Sequence, residues 1–121
     1  MRIPLPLFFL FTFLIAPGAF ASGPSVDTLV VVDPGVPDAA YFQEHARPGA
    51  RVVLLEESGD GLRQIARLLG EERGIRRLQI VSHGAPGRLY LGGDAVDAEA
   101  LSAAADSMSA WASALHPSAE I

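Results

Sequence analysis

Three short apolar runs, spaced along the chain and separated by turn chemistry and helical patterns, constrain this sequence most. Residues 28–33 read Thr-Leu-Val-Val-Val-Asp, residues 51–56 read Arg-Val-Val-Leu-Leu-Glu, and residues 77–82 read Arg-Leu-Gln-Ile-Val-Ser. The first two are continuous and rich in β-branched residues, as strands buried on both faces are. After the first, Pro34-Gly35-Val36-Pro37 is turn chemistry. A short helix is expected from Pro37 or Asp38 to about Ala46, with Pro48-Gly49 ending it. After the second run, Asp60 can cap a helix that places Leu62, Ile65, Ala66 and Leu69 on one face and Arg63, Gln64 and Arg67 on the other, with Gly70 and Gly74 as C-cap positions. Strands alternating with helices predict an α/β three-layer sandwich: a mainly parallel sheet with helices on both faces.

Beyond the third run the rhythm changes. Residues 88–91 and Ala95-Val96 flank Gly92-Gly93-Asp94, which predicts a small β-hairpin. Asp97 then caps a long helix with Leu101, Ala104, Ala105, Met108, Ala112 and Leu115 in register and Trp111 at the border of that face. His116-Pro117 stops it, and Ala119-Glu120-Ile121 opens another strand.

The first residues belong to a different physical class. Met1-Arg2, an apolar run from Leu5 to Ala16 holding four Phe, the break at Pro17-Gly18 and Ala19-Phe20-Ala21 before Ser22 make a secretory signal peptide over residues 1–21. The run falls short of the roughly 20 apolar residues that span a bilayer, so no stable membrane span is expected after cleavage. An exported location follows: periplasm, cell surface or medium. The remaining chain, residues 22–121, is about the size of one domain. It is acidic, with eight Arg and no Lys left against fourteen Asp and Glu, and has no basic patch interleaved with aromatics, which argues against nucleic acid as a partner. The absence of cysteine removes any disulfide framework and any Cys-based zinc site. The three His lack metal-ligand spacing, and Gly92-Gly93 lacks the helix of a phosphate loop. No cofactor and no metal are expected.

In parallel sheets, ligands bind beyond the carboxyl ends of the strands. Those ends carry Asp33, then Glu56, Glu57 and Ser58, then Ser82, His83 and Gly84. Each has two readings. Asp33 either lines a pocket for a basic group or, before Pro-Gly, holds a turn. His83 is either an acid–base group or a hydrogen-bonded loop residue. Ser82 lies on the opposite side of the pleat from His83 and outside any Gly-x-Ser-x-Gly context, which weakens it as a nucleophile. Glu56 and Glu57 fit a solvated strand end. Arg63, Arg67, Arg76 and Arg77 fit the surface, and His45 and His116 fit helix termini, where a cation suits the dipole.

Three stretches together carry a family resemblance: Val32-Asp33 with Val36-Pro37-Asp38; Asp60-Gly61-Leu62 with Gln64-Ile65-Ala66; and Ile80-Val81-Ser82-His83-Gly84-Ala85-Pro86-Gly87 with Leu89 and Leu91-Gly92. The chain resembles the bacterial DUF4347 domain, a module near the N-terminus of large exported or surface proteins, often ahead of cadherin-like, adhesin or RTX-type repeats. That family is more remotely similar to the caspase-like (clan CD) peptidases, whose order is strand, His-Gly, hairpin, helix, strand, Cys. The resemblance implies a caspase-like or flavodoxin-like strand order, incomplete at the C-terminus. It also implies His83 as one half of a His/Cys dyad, with the Gly84 N–H near an oxyanion. The thiol position would follow Ile121, so the chain is expected to be truncated and inactive as given. The resemblance implies an exported module with an unidentified protein or surface partner and no catalysis of its own; a truncated cysteine hydrolase domain is the alternative.

Overall fold

A computed structural model of the chain describes residues 25–121; the expected signal peptide lies outside the described residues. Four strands form a parallel sheet in the order β2-β1-β3-β7, with β1 at Thr28–Val32, β2 at Ala50–Leu54, β3 at Ile75–Val81 and β7 at Leu115–Glu120. The three apolar runs are therefore parallel neighbours, and the α/β sandwich expected from them is the architecture found. Because β1 lies at the centre, all five of its residues are buried. That is why its sequence shows no polar alternation.

The two faces of the sheet carry separate cores. On one, Leu29, Val31 and Leu78 pack with Leu62, Ile65 and Leu69 of helix α2 (Gly61–Glu72) and with Trp111. On the other, Val30 and Val32 pack with Ala39, and Phe42 of helix α1 (Ala40–Glu44) closes over Val52 and Leu54. Each large aliphatic side chain buried this way contributes roughly 1.5–3 kcal/mol. Asp60 caps α2 as expected, its Oδ1 accepting from the Arg63 N–H at 3.2 Å. Gly70 stays inside the helix, which ends at Arg73 and Gly74, both at positive φ. Near the C-terminus of α2, the Arg51 guanidinium of β2 donates to Glu72 at 2.7 Å and to Glu71 at 3.0 Å. These bonds, Glu72 first, raise the Arg51 pKa above its ordinary value.

The C-terminal third departs from the expected single helix. Asp97 caps as anticipated, accepting from the Ala100 N–H at 2.8 Å, but the helix divides into α3 (Ala98–Ala103) and α4 (Ala105–Ala114). At the break, the Ala104 N–H is shared between the carbonyls of Ala100 and Leu101. The two halves serve different partners: α3 rests on the hairpin, while α4 packs along α2. Trp111 is correspondingly not a surface residue. It is 5% exposed, and its Nε1 donates to the Leu62 carbonyl at 3.0 Å. An indole needs a partner for its N–H when buried, and the α2 backbone supplies one. Leu101, by contrast, remains 43% exposed although the periodicity places it on the apolar face.

The last strand also begins earlier than Ala119. Leu115 leaves α4 directly into β7 opposite Ile75, and the Gly74 N–H donates to the Ala114 carbonyl at 2.8 Å. His116 is thus a strand residue, its Nδ1 accepting from the Ser118 N–H. Pro117 is tolerated because β7 is an edge. The hairpin is present as β5 (Arg88–Leu91) and β6 (Asp94–Val96), and a two-residue strand β4 (Gly84–Ala85) adds to it antiparallel. Among the described residues, no helix is long and apolar enough to cross a membrane.

Candidate functional site at the carboxyl edge of the sheet

The strand ends converge as expected, but they do different things there. Asp33 extends the sheet by one bond, its N–H donating to the Val81 carbonyl at 2.9 Å. Its side chain then turns inward; the residue is 5% exposed. Oδ1 accepts from the Gly92 N–H at 2.7 Å, and Oδ2 accepts from the Gly35 N–H at 2.9 Å. The Val36 N–H closes the turn on the Asp33 carbonyl at 3.1 Å. One carboxylate thereby joins the end of β1, the Pro-Gly turn and the tip of the β5–β6 hairpin. Bonds from backbone N–H groups to a buried carboxylate are charge-assisted and strong.

The loop between β2 and α2, on which the hairpin tip rests, is held by Gln64. This residue of α2 was expected on the polar face; it is 7% exposed. Its Oε1 accepts from the Glu56 N–H at 2.8 Å, and its Nε2 donates to the carbonyls of Glu56 and Gly59, both at 3.0 Å. The hairpin lies so close that a Cβ on Gly92 would fall 2.8 Å from the Gln64 Nε2 and 3.0 Å from the Glu56 carbonyl oxygen. A Cβ on Gly61 would fall 2.5 Å from the Leu91 Cβ. Gly92 also has φ +63°, which favours glycine for a second reason. Two further bonds complete the seam: the Gly59 N–H donates to the Gly92 carbonyl at 2.7 Å, and the Asp60 N–H donates to Asp94 Oδ2 at 2.8 Å.

His83 stands outside this knot. It follows β3, is exposed, and its carbonyl accepts from the Tyr90 N–H at 3.1 Å. Among the described residues its ring makes no hydrogen bond and no ion pair. Ser82 is half-buried beside it, and Gly84 opens β4 and is exposed. Asp33, Ser82, His83 and Gly84 therefore share one edge of the sheet, yet no bond joins the Asp33 carboxylate to the His83 ring. Glu56 and Glu57 are exposed; Glu56 contributes its backbone, not its carboxylate. Below the strand that follows His83 lies an apolar cavity of about 480 Å³ between the hairpin and α3, lined among others by Ile80, Ala85, Leu89, Leu101 and Trp111. Among the described residues, no cluster of three or more His, Asp or Glu is placed to hold a metal ion.

Gln64 and Gly92 are the residues that periodicity alone missed. One signal was available: Gln64 interrupts a helix whose neighbours Leu62 and Ile65 are core residues, four positions after the Asp60 cap. A polar residue there can satisfy the strand-to-helix loop instead of facing water.

The parallel sheet, its covered faces and the hairpin tied over its carboxyl edge define an α/β domain with a structurally buttressed strand-end rim. A family model described as a domain of unknown function, DUF4347, matches residues 29–121, and the chain belongs to that family. No curated protein and no solved structure matches the chain.

Proposed function

We propose that this chain is an exported DUF4347-type module of a bacterial surface or adhesin-type protein, acting through binding and presentation and not through catalysis. The observation that carries the reading is the pairing of an apolar leader and an Ala-x-Ala site with a DUF4347 domain that begins a few residues later. The strand-end chemistry supports it. The one buried carboxylate of the rim, Asp33, is committed to two backbone N–H groups, and among the described residues no carboxylate bonds to the His83 ring. A general base alone supplies about 10²–10⁴-fold, well below the roughly 10⁶-fold that marks an enzyme. The test is the intact mass and location of the protein in a bacterial host. A mature species starting near Ser22 outside the cytoplasm is expected; a cytoplasmic species retaining Met1 overturns export.

A second reading has its own observation. β7 lies parallel to β3, whose end delivers His83, with the hairpin and two helices between them in the chain. A caspase-like hydrolase presents His and Cys from the ends of such neighbouring strands, and this reading makes His83 the imidazole half of that pair. Peptide hydrolysis by a form extended through a following Gly-Cys, absent from the 121-residue chain and lost on both His83→Ala and replacement of that Cys, would favour it over the binding module.

A further inference from the structure

The two outer strands of the sheet are built differently. β7 carries Pro117 and Glu120, and its ladder with β3 shifts register between Ile75 and Arg77. Proline, charge and irregularity are the usual means of keeping an edge from pairing with another chain. β2 has neither a proline nor a register shift. It reads Ala-Arg-Val-Val-Leu, pairs with β1 in unbroken register from Ala50 to Leu54, and is half-buried at every position. Its one charge, Arg51, is already held by Glu71 and Glu72.

The hydrogen-bonding groups of β2 can be assigned to sides. The Thr28 N–H donates to the Gly49 carbonyl, and the Leu55 N–H donates to the Val32 carbonyl. Residues 49 and 55 thus face β1, and by the alternation of a parallel strand so do 51 and 53. Ala50, Val52 and Leu54 direct their backbone groups outward. The Ala50 N–H is used by the Arg47 carbonyl at 3.0 Å. The outward set is therefore the N–H groups of Val52 and Leu54 and the carbonyls of Ala50, Val52 and Leu54.

Both donors and two of the three acceptors in this set complement one another across a two-fold axis. This axis, normal to the sheet and midway between the two copies of Val52, lays a second β2 antiparallel to the first. The two Val52 residues then exchange N–H and carbonyl, and each Leu54 N–H meets the partner's Ala50 carbonyl. The Ala50 N–H stays with the Arg47 carbonyl of its own chain, so the Leu54 carbonyl has no donor across the axis. Side chains also fall in like company: the Arg51 and Val53 rows meet on the α2 face, and the Ala50, Val52 and Leu54 rows meet on the α1 face. Tyr41 of α1, the helix packed on β2, is 55% exposed and adds apolar surface to that side.

We propose that the open edge of β2 binds a second copy of this chain, joining two four-stranded sheets into one continuous sheet across an isologous two-fold interface. The test uses the protein as recovered from a bacterial host, its N-terminus fixed by intact mass. Sedimentation across micromolar to millimolar concentration is expected to show a reversible monomer–dimer equilibrium. Amide exchange of Val52 and Leu54 is expected to slow as the dimer forms. Val52→Pro removes an outward N–H and no bond to β1, so it is expected to keep the circular dichroism of the parent and raise the dimer dissociation constant by more than about tenfold. Should that variant fail to fold, the exchange of Val52 and Leu54 in the unaltered chain decides. A monomer at every concentration overturns the proposal. So does a dimer in which those two amides exchange as fast as in the monomer, a folded Val52→Pro that dimerises as tightly as the parent, an open-ended polymer, or protection of this edge only by an added extended peptide.

Discussion

Asp33 and His83 leave adjacent parallel strands at nearly the same level of the sheet, and they end in opposite physical states. Asp33 is buried, with each carboxylate oxygen taken by a backbone N–H. His83 is exposed, and its carbonyl alone is engaged. The difference is made by what lies over each strand end. The hairpin tip comes down on β1 and offers the Gly92 N–H to Asp33, whereas the chain after His83 leads away into that same hairpin and leaves the ring outside. A residue's position at a carboxyl edge therefore does not decide its role; the element folded over it does.

Five substitutions break or sharpen this contrast. The largest effect is expected from Asp33→Ala, which strands two N–H groups, one of them fully buried, and should lower unfolding stability by about 3 kcal/mol in urea titration. Asp33→Asn keeps one acceptor and should cost about half as much. An Asp33→Ala variant as stable as the parent would remove the buried knot from the account. Gly61→Ala comes next. Helix propensity alone predicts a gain of about 1 kcal/mol. The approach of Leu91 predicts a loss of roughly 1–3 kcal/mol, so the sign of the change decides which governs.

Trp111→Phe keeps most of the packing and removes the bond to Leu62; a loss of about 1 kcal/mol in thermal or urea unfolding is expected. The smallest effect belongs to His83→Ala, which should change stability by less than about 0.5 kcal/mol. A loss as large as that of Asp33→Ala would mean that the His83 ring, too, is structural.

Much of this was legible in the chain. The β-branched runs gave parallel strands because burial on both faces removes any need for polar alternation at Val30, Val31 and Val32. Asp60 and Asp97 were readable as caps because an Asp before a helix can satisfy its free N–H groups locally. The turn at Pro34-Gly35 and the hairpin at Gly92-Gly93 follow from backbone preferences that need no distant partner.

What only the tertiary structure decided are matters of which distant group comes near. Local pattern put Gln64 on a polar face, yet the Glu56 loop beside it made burial favourable by supplying three bonds. Nothing near Trp111 in sequence indicates that the Leu62 carbonyl, on another helix, will accept its N–H and pull α4 away from the line of α3. The four-residue advance of the last strand came from Ile75 and Gly74 drawing Leu115 and Ala114 into the sheet. Asp33 carried both of its readings in the sequence, pocket acid and turn residue; the closeness of Gly92, distant in the chain, committed both of its oxygens. Propensity and periodicity act over a few residues and are written in order along the chain, whereas the pairing of buried polar groups depends on contacts that exist only once the layers have packed.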